Sequence, residues 1–325
     1  MPEAYIMTHM FGWSWQSFYN FSLFTVMASI LKLTRNGRIV PMASASSKHI
    51  VEAIDEVLAW SSLFQNHMNA ESVLRNLQME GSMSSLHQAI ESSSHLTVEN
   101  DIVYSDKYDR NPLLQHSQEL AAKHFKETME VLSILNSCKQ ITGLAVTGSV
   151  AAGMNSEKGD VDVMIITKPG WVWRVRALAI YLSHEHPTGR LLCPNMVLSE
   201  DSLRFEKGVY TAREMMQIIP LKDSNGITKL YNVNDWVKDM LPNADKNPSR
   251  TLSRIKDYPW WWRIMKIPIL GSVIESWEAA RRIKQLKLTS TSDEAIYSKS
   301  ICRGHENAHK TRIEAEYHNV LEASS

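Results

Sequence analysis

Beyond Lys48 the apolar positions of this chain fall into a helical rhythm. Ile50, Val51, Ile54, Val57, Leu58 and Leu63 recur at intervals that place them on one helix face. Asn69 has the side chain to cap a second helix, and Ser82 or Ser84 to cap a third with Met83, Leu86, Ala89 and Ile90 on one side. His95 to Ser105 then reads as a short hairpin turning at Asn100-Asp101. Asn111 to Lys139 is a long amphipathic helix whose apolar side carries Leu113, Leu120, His124, Phe125, Met129, Leu132 and Leu135. His116 and His124 read as surface or semi-buried helix residues rather than metal ligands. After that helix the pattern turns to strands. Leu144 to Thr147 is apolar, Gly148-Ser149 breaks it, and Val163 to Ile166 is a second apolar run.

Asp160 and Asp162 stand at the head of that second run, one residue apart. In a strand, residues i and i+2 share a face, so both carboxylates project together. A charged group within an apolar strand needs a reason, because burying an unpaired carboxylate is costly. Paired carboxylates suit Mg²⁺, which takes oxygen ligands and shares them with substrate phosphates. The Gly-Ser turn, opening toward a short helix or loop, offers N–H donors to a phosphate. Together these features describe a site for a metal-bound nucleotide.

Gly-Ser, ten residues, then Asp-x-Asp resembles the signature of the nucleotidyltransferase superfamily, the polymerase-beta-like fold. The resemblance implies that Gly148 and Ser149 hold the nucleotide's phosphates. It implies that Asp160 and Asp162 are catalytic and hold Mg²⁺ or Mn²⁺, with an NTP such as ATP as substrate. That superfamily usually has a third carboxylate on a later strand. The candidate strand here, Leu191 to Leu198, puts Asn195 at that position, with Glu200 and Asp201 just beyond it. Asn195 is a metal-ligand candidate through its amide oxygen, but it makes no strong general base. Lys168 and Arg176, which follow the acidic strand, are the cations expected near the phosphates. Arg174 and Arg176 sit at a helix start, where the dipole favours acids, which makes Arg176 a candidate for reaching an anion.

Beyond the acids, Val209 to Pro220 reads as a helix with a capping box at Thr211 and Glu214, and a short helix ends at Pro242. With the three helices and hairpin, this order resembles a bacterial subgroup of nucleotidyltransferase-domain proteins with an N-terminal winged-helix-like unit. The expected architecture is α+β, a small mixed or antiparallel sheet flanked by helices. Its parts are an extension at 1–47, a winged-helix-like module at 48–110, a nucleotidyltransferase domain at 111–243 and a helical C-terminal region at 244–325. The third helix offers Ser84, Ser85, His87 and Gln88 but no Lys or Arg. Phosphate contacts dominate DNA affinity, so DNA reading through residues 48–106 is disfavoured.

Charge and cysteine usage refine this picture. The 325 residues carry 35 basic and 35 acidic side chains, and no overall field draws in nucleic acid. Cys138, Cys193 and Cys302 have no disulfide or metal spacing and fit a reducing cytoplasm, with Cys138 and Cys193 read as ordinary semi-buried thiols. Ala4 to Leu31 contains no charged residue and is rich in aromatics, yet lacks the features of a signal peptide or a span. It reads as an extension, a packed element or an interfacial membrane segment, with Met42 to Ser47 as a start or linker. Trp260, Trp261 and Trp262 beside Arg263 and Lys266 fit a core cap, a membrane interface or a purine pocket. The expected activity is Mg²⁺-dependent transfer of an NMP to a small-molecule, protein or RNA acceptor. The alternative is a weak or inactive nucleotide-binding regulator acting through the winged-helix-like module.

Overall fold

The computed structural model describes residues 43–290, 294–304 and 309–324. The reading of Ala4 to Leu31 therefore lies outside the described residues. Three helices, α1 (Ala43–Leu63), α2 (Ala70–Asn76) and α3 (Met83–Ser92), precede a hairpin of β1 (Leu96–Glu99) and β2 (Ile102–Ser105). Both expected caps form: Asn69 accepts from the Ser72 N–H, and Ser82 exchanges bonds with Ser85. Asn100 and Asp101 both take positive φ, as a two-residue turn between right-twisted strands demands. Ile54, Val57, Val73, Leu77, Leu86 and Val103 close a small core of this unit's own. Of the start or linker expected at Met42 to Ser47, the linker does not form, because α1 begins at Ala43 and takes in most of the stretch.

The second body is a six-stranded mixed sheet. Its strands are β3 (Ile141–Val146), β4 (Val161–Thr167), β5 (Leu192–Ser199), β6 (Ile219–Asp223), β7 (Ile296–Tyr297) and β8 (Ile301–Arg303). Their order is β6-β3-β4-β5-β8-β7, and β4 with β5 is the parallel pair. That pair is joined across the sheet by α6 (Val172–Glu185), following α4 (Leu114–Ser137) and the single-turn α5 (Gly148–Ala151). Helices cover both faces. Val161, Val163 and Ile165 pack with α4 and α6, whereas Met164 and Ile166 pack with α7 (Val209–Gln217), α8 (Gly226–Val233) and the turn α9 (Val237–Met240). A central strand covered twice must be apolar on both sides, and β4 is, except at Asp162 and the terminal Thr167.

The C-terminal region is less purely helical than expected. After α10 (Trp262–Met265) and α11 (Pro268–Thr289), β7 and β8 return to the sheet, β8 pairing with β5 and β7 with β8, before α12 (His309–Ser324). The sheet therefore does not close at residue 243. Trp262 is fully buried with the β4 core, so the core-cap reading holds for it, while Trp260 is exposed. Leu113, which precedes α4, and Met129 within it face solvent rather than the core, and His124 is buried rather than at the surface or semi-buried. The two bodies join through Trp60, Tyr210 and Ile313. Asn243 also bonds to Gly81 and Met79, and Arg75 donates to Asn247.

Candidate active site

At the end of β3 the chain has one turn in which to leave the sheet. Gly148 makes it with φ +62°, and a Cβ there would meet Asp162 Oδ2 at 2.5 Å. Glycine is needed on both counts, and the Asp162 carboxylate rests directly on the turn's backbone. The Thr147 N–H donates to the Asp162 carbonyl at 2.9 Å, which fixes the two strands at this point. The loop leading to Asp160 is pinned to α4. Ser117 bonds to Asn155, and the Asn155 amide reaches both His124 Nδ1 at 2.9 Å and the Asp160 carbonyl at 3.2 Å. Buried His124 thus has a local structural job.

Asp160 is exposed and Asp162 half-buried, and their oxygens lie with the Cys193 sulfur within 4.8 Å of one another. Cys193 arrives because β5 pairs in parallel with β4, Asp162 opposite Cys193. A register shift between Cys193 and Met196 then brings Asn195 toward Asp162, where its amide favours the carboxylate form. Burial, and then the charge of Asp160, push the Asp162 carboxyl up to about 6. Burial and the same two carboxylates push the Cys193 thiol up, so the neutral S–H is the form that faces the acids. A carboxylate whose proton affinity is raised by burial and by a second carboxylate beside it forms a site that a divalent cation relieves. Carboxylate and amide oxygens fit Mg²⁺ or Mn²⁺, whereas a protonated thiol is a poor ligand for either. Cys193 is accordingly a site residue rather than the ordinary thiol expected.

A cleft of about 470 Å³ opens over these groups, within the usual range for small-molecule sites. Thr147, Gly148, Ser149, Asp162 and Asn195 form its floor, α7 one wall, and Trp60, Phe64 and Met68 of the helical unit the other. Glu214, expected as a capping-box acid, is a wall residue of this cleft. Gly208 occupies the N-cap without a side-chain bond, Thr211 lies within the first turn, and no capping box forms. Glu214 instead accepts from the Gln217 side chain at 2.8 Å. Burial, and then Asp162, push it up to about 7. Next to it, Arg213 is buried with its guanidinium over the Trp60 ring at 4.6 Å, and none of its three nitrogens finds a good hydrogen-bond acceptor. Tyr210, Glu214 and Gln217 stand at i, i+4 and i+7 on one helix face. That spacing was the available signal for them, obscured by the match to a cap.

Four residues weighed from the sequence are not brought to this site. Lys168 lies just past the end of β4, six residues beyond Asp162 and about 20 Å along the strand direction. Glu200 and Asp201 follow the same end of β5, where the Glu200 N–H donates to the Thr167 carbonyl. Because β4 and β5 run in parallel, the end of β5 lies beside the end of β4 that is remote from the acids. Neither Glu200 nor Asp201 completes the carboxylate set. Arg176 is on the wrong face: α6 packs on the Val163 side of the sheet, and Arg176 meets the Cys302 thiol there. Compared with known protein families, with curated proteins and with solved structures, the chain matches none.

Proposed function

We propose that the chain is a divalent-metal-dependent nucleotidyltransferase. The reading rests on one juxtaposition: Asp162, with Asp160 beside it, is held against the positive-φ Gly148 turn on the floor of a cleft of nucleotide size. Asp160 and Asp162, with the Asn195 amide as a further donor, are the residues to hold Mg²⁺ or Mn²⁺. When bound, the metal supplies charge neutralisation for the phosphates and alignment of the attacking and leaving oxygens.

The chain's own groups account for the rest. Ser149 and the backbone of the turn bind the triphosphate, and Phe64 and Trp60 give the base an aromatic wall. An acceptor hydroxyl attacks the α-phosphorus, the α–β phosphoanhydride bond breaks, and pyrophosphate leaves. Glu214 takes the acceptor's proton, a role suited to a carboxyl raised toward neutrality. It fills the place for which the sequence offered only Asn195, Glu200 and Asp201. The helical unit supports a wall of the cleft, and the exposed face of its third helix carries no cation for DNA.

Calorimetry of the four NTPs with Mg²⁺, on the wild type and on Asp160→Ala/Asp162→Ala, tests this reading. Metal-dependent binding of at least one NTP that the double substitution abolishes is the expected result. Failure of every NTP to bind in Mg²⁺ or Mn²⁺ sinks it. Binding without pyrophosphate release for any acceptor would favour the regulatory alternative.

A further inference from the structure

Helix α11 wears its residues the wrong way out. The residues it buries are Gly271, Glu275 and Ala279, spaced four apart. Ile274, Ile283 and Leu286 are only partly covered. Offset by two residues, and so on the opposite face, stand Ile269, Val273 and Trp277, which are 82, 60 and 62 % exposed. Leu288 continues the outward stripe at 78 %. At the helix start Trp260, Ile264, Ile267 and Leu270 add to the exposed apolar surface. A helix on a water-facing surface shows the reverse pattern, polar outward and apolar inward. Exposed apolar residues in such a row mark a surface that meets something.

The charges around the stripe say what. Between Arg254 and Lys287 there are eight Lys and Arg against three acids, in a chain whose charges balance overall. Two of the acids are already engaged: Glu275 is buried against Arg174, and Glu278 is held by Arg281 and Arg282. Arg263 and Lys266 at one end of the stripe, and Lys284 and Lys287 at the other, remain exposed. Among the described residues no helix is long and apolar enough to cross a membrane. An amphipathic helix with a tryptophan and aliphatic face bordered by cations suits the plane of a bilayer interface. A second copy docked on this face would set cation rows against each other, whereas anionic headgroups complement them.

We propose that α10 and α11 form a docking surface for an anionic phospholipid bilayer, with Ile269, Val273 and Trp277 entering the interface and Arg263, Lys266, Lys284 and Lys287 meeting headgroup phosphates. The acids lie on the other face of the sheet, with Met164 and Ile166, while α11 packs on the Val163 side. Docking therefore leaves the cleft facing away from the lipid. The inference stands whether or not the cleft transfers nucleotides.

Co-sedimentation of the full chain with vesicles tests it, comparing equal parts phosphatidylcholine and phosphatidylglycerol with phosphatidylcholine alone. The anionic vesicles are expected to pellet the protein, less so as salt rises. Ile269→Ser/Val273→Ser/Trp277→Ser should weaken binding by more than about tenfold, since each side chain withdrawn from the apolar layer costs transfer free energy. Lys266→Glu/Lys284→Glu, which leaves the apolar stripe intact, should weaken it comparably and flatten the salt dependence. Absence of pelleting with anionic vesicles overturns the proposal, as does wild-type binding by both variants. A dimer in light scattering that the triple-serine variant dissociates would also overturn it, by assigning the stripe to a second copy.

Discussion

Replacing Asp162 by Asn should make this protein more stable at pH 8 while removing its metal site. Burial and the neighbouring Asp160 raise the Asp162 carboxyl from the ordinary 3.8 to about 6. Between those values the folded protein keeps a proton that the unfolded chain releases, so stability falls as pH rises through that window. Above about pH 6 the full penalty is present, roughly 3 kcal/mol for a shift of this size, and at pH 5 it is roughly half. An amide of the same shape carries no charge to desolvate and still meets the Cys193 thiol and Asn195. The substitution should therefore stabilise by about 1–3 kcal/mol at pH 8 and by less at pH 5. In thermal unfolding each kcal/mol moves Tm by roughly 2–4 °C for a chain of this order. Adding millimolar Mg²⁺ at pH 8 should raise the Tm of the wild type and leave Asp162→Asn unmoved, because only a native state that binds the ion gains from it. A less stable Asp162→Asn at pH 8, or the same difference from wild type at both pH values, would refute the reasoning that this carboxylate is held in an unfavourable charged state.

Other substitutions probe the remaining parts of the site and its support. Glu214→Gln should leave NTP binding in place but slow pyrophosphate release by about 10²-fold or more, and remove an acid limb centred near pH 7 from the rate profile; an unchanged profile rules Glu214 out as the proton acceptor. Gly148→Ala pushes a methyl group into Asp162 and strains a positive φ, so metal-dependent NTP binding should be lost along with about 1–3 kcal/mol of stability. Gly153→Ala, with φ +78° but open space around it, is the matched control and should cost about 1 kcal/mol with binding retained. Glu275→Ala strands the buried Arg174 guanidinium and two backbone N–H groups at the start of α6. Urea unfolding should register a loss of about 3–5 kcal/mol.

The local elements were legible because their signals are local. Asn69 and Ser82 cap their helices through bonds that span three residues, and Asn100-Asp101 turns the hairpin by its own backbone preference. The pairing of Asp160 with Asp162 follows from strand alternation, and the need for glycine at 148 from the sharpness of the exit. Where an expectation failed, a partner distant in sequence had decided the matter. Lys168, Glu200 and Asp201 looked close to the acids along the chain, but the parallel pairing of β4 with β5 puts all three at the far end of the sheet. Thr211 and Glu214 matched a capping box, yet the helix starts earlier, at Gly208, and Glu214 turns into the cleft.

By itself, the sequence determined the helical unit and its hairpin, the two strands around Gly148-Ser149, and the presence of two carboxylates on one strand face. These depend on side-chain period, capping and turn chemistry within a few residues, and so survive whatever surrounds them. Only the tertiary structure decided which groups join those carboxylates. Cys193 and Asn195 reach them through strand register, and Glu214 through the packing of α7 over the sheet. It also resolved the cations at the start of α6, where the dipole calls for an acid. Glu275 supplies that acid from about a hundred residues away, accepting from the Trp173 and Arg174 N–H groups. Contacts of that range are set by how helices close over a sheet, and hydrophobic period carries no record of them.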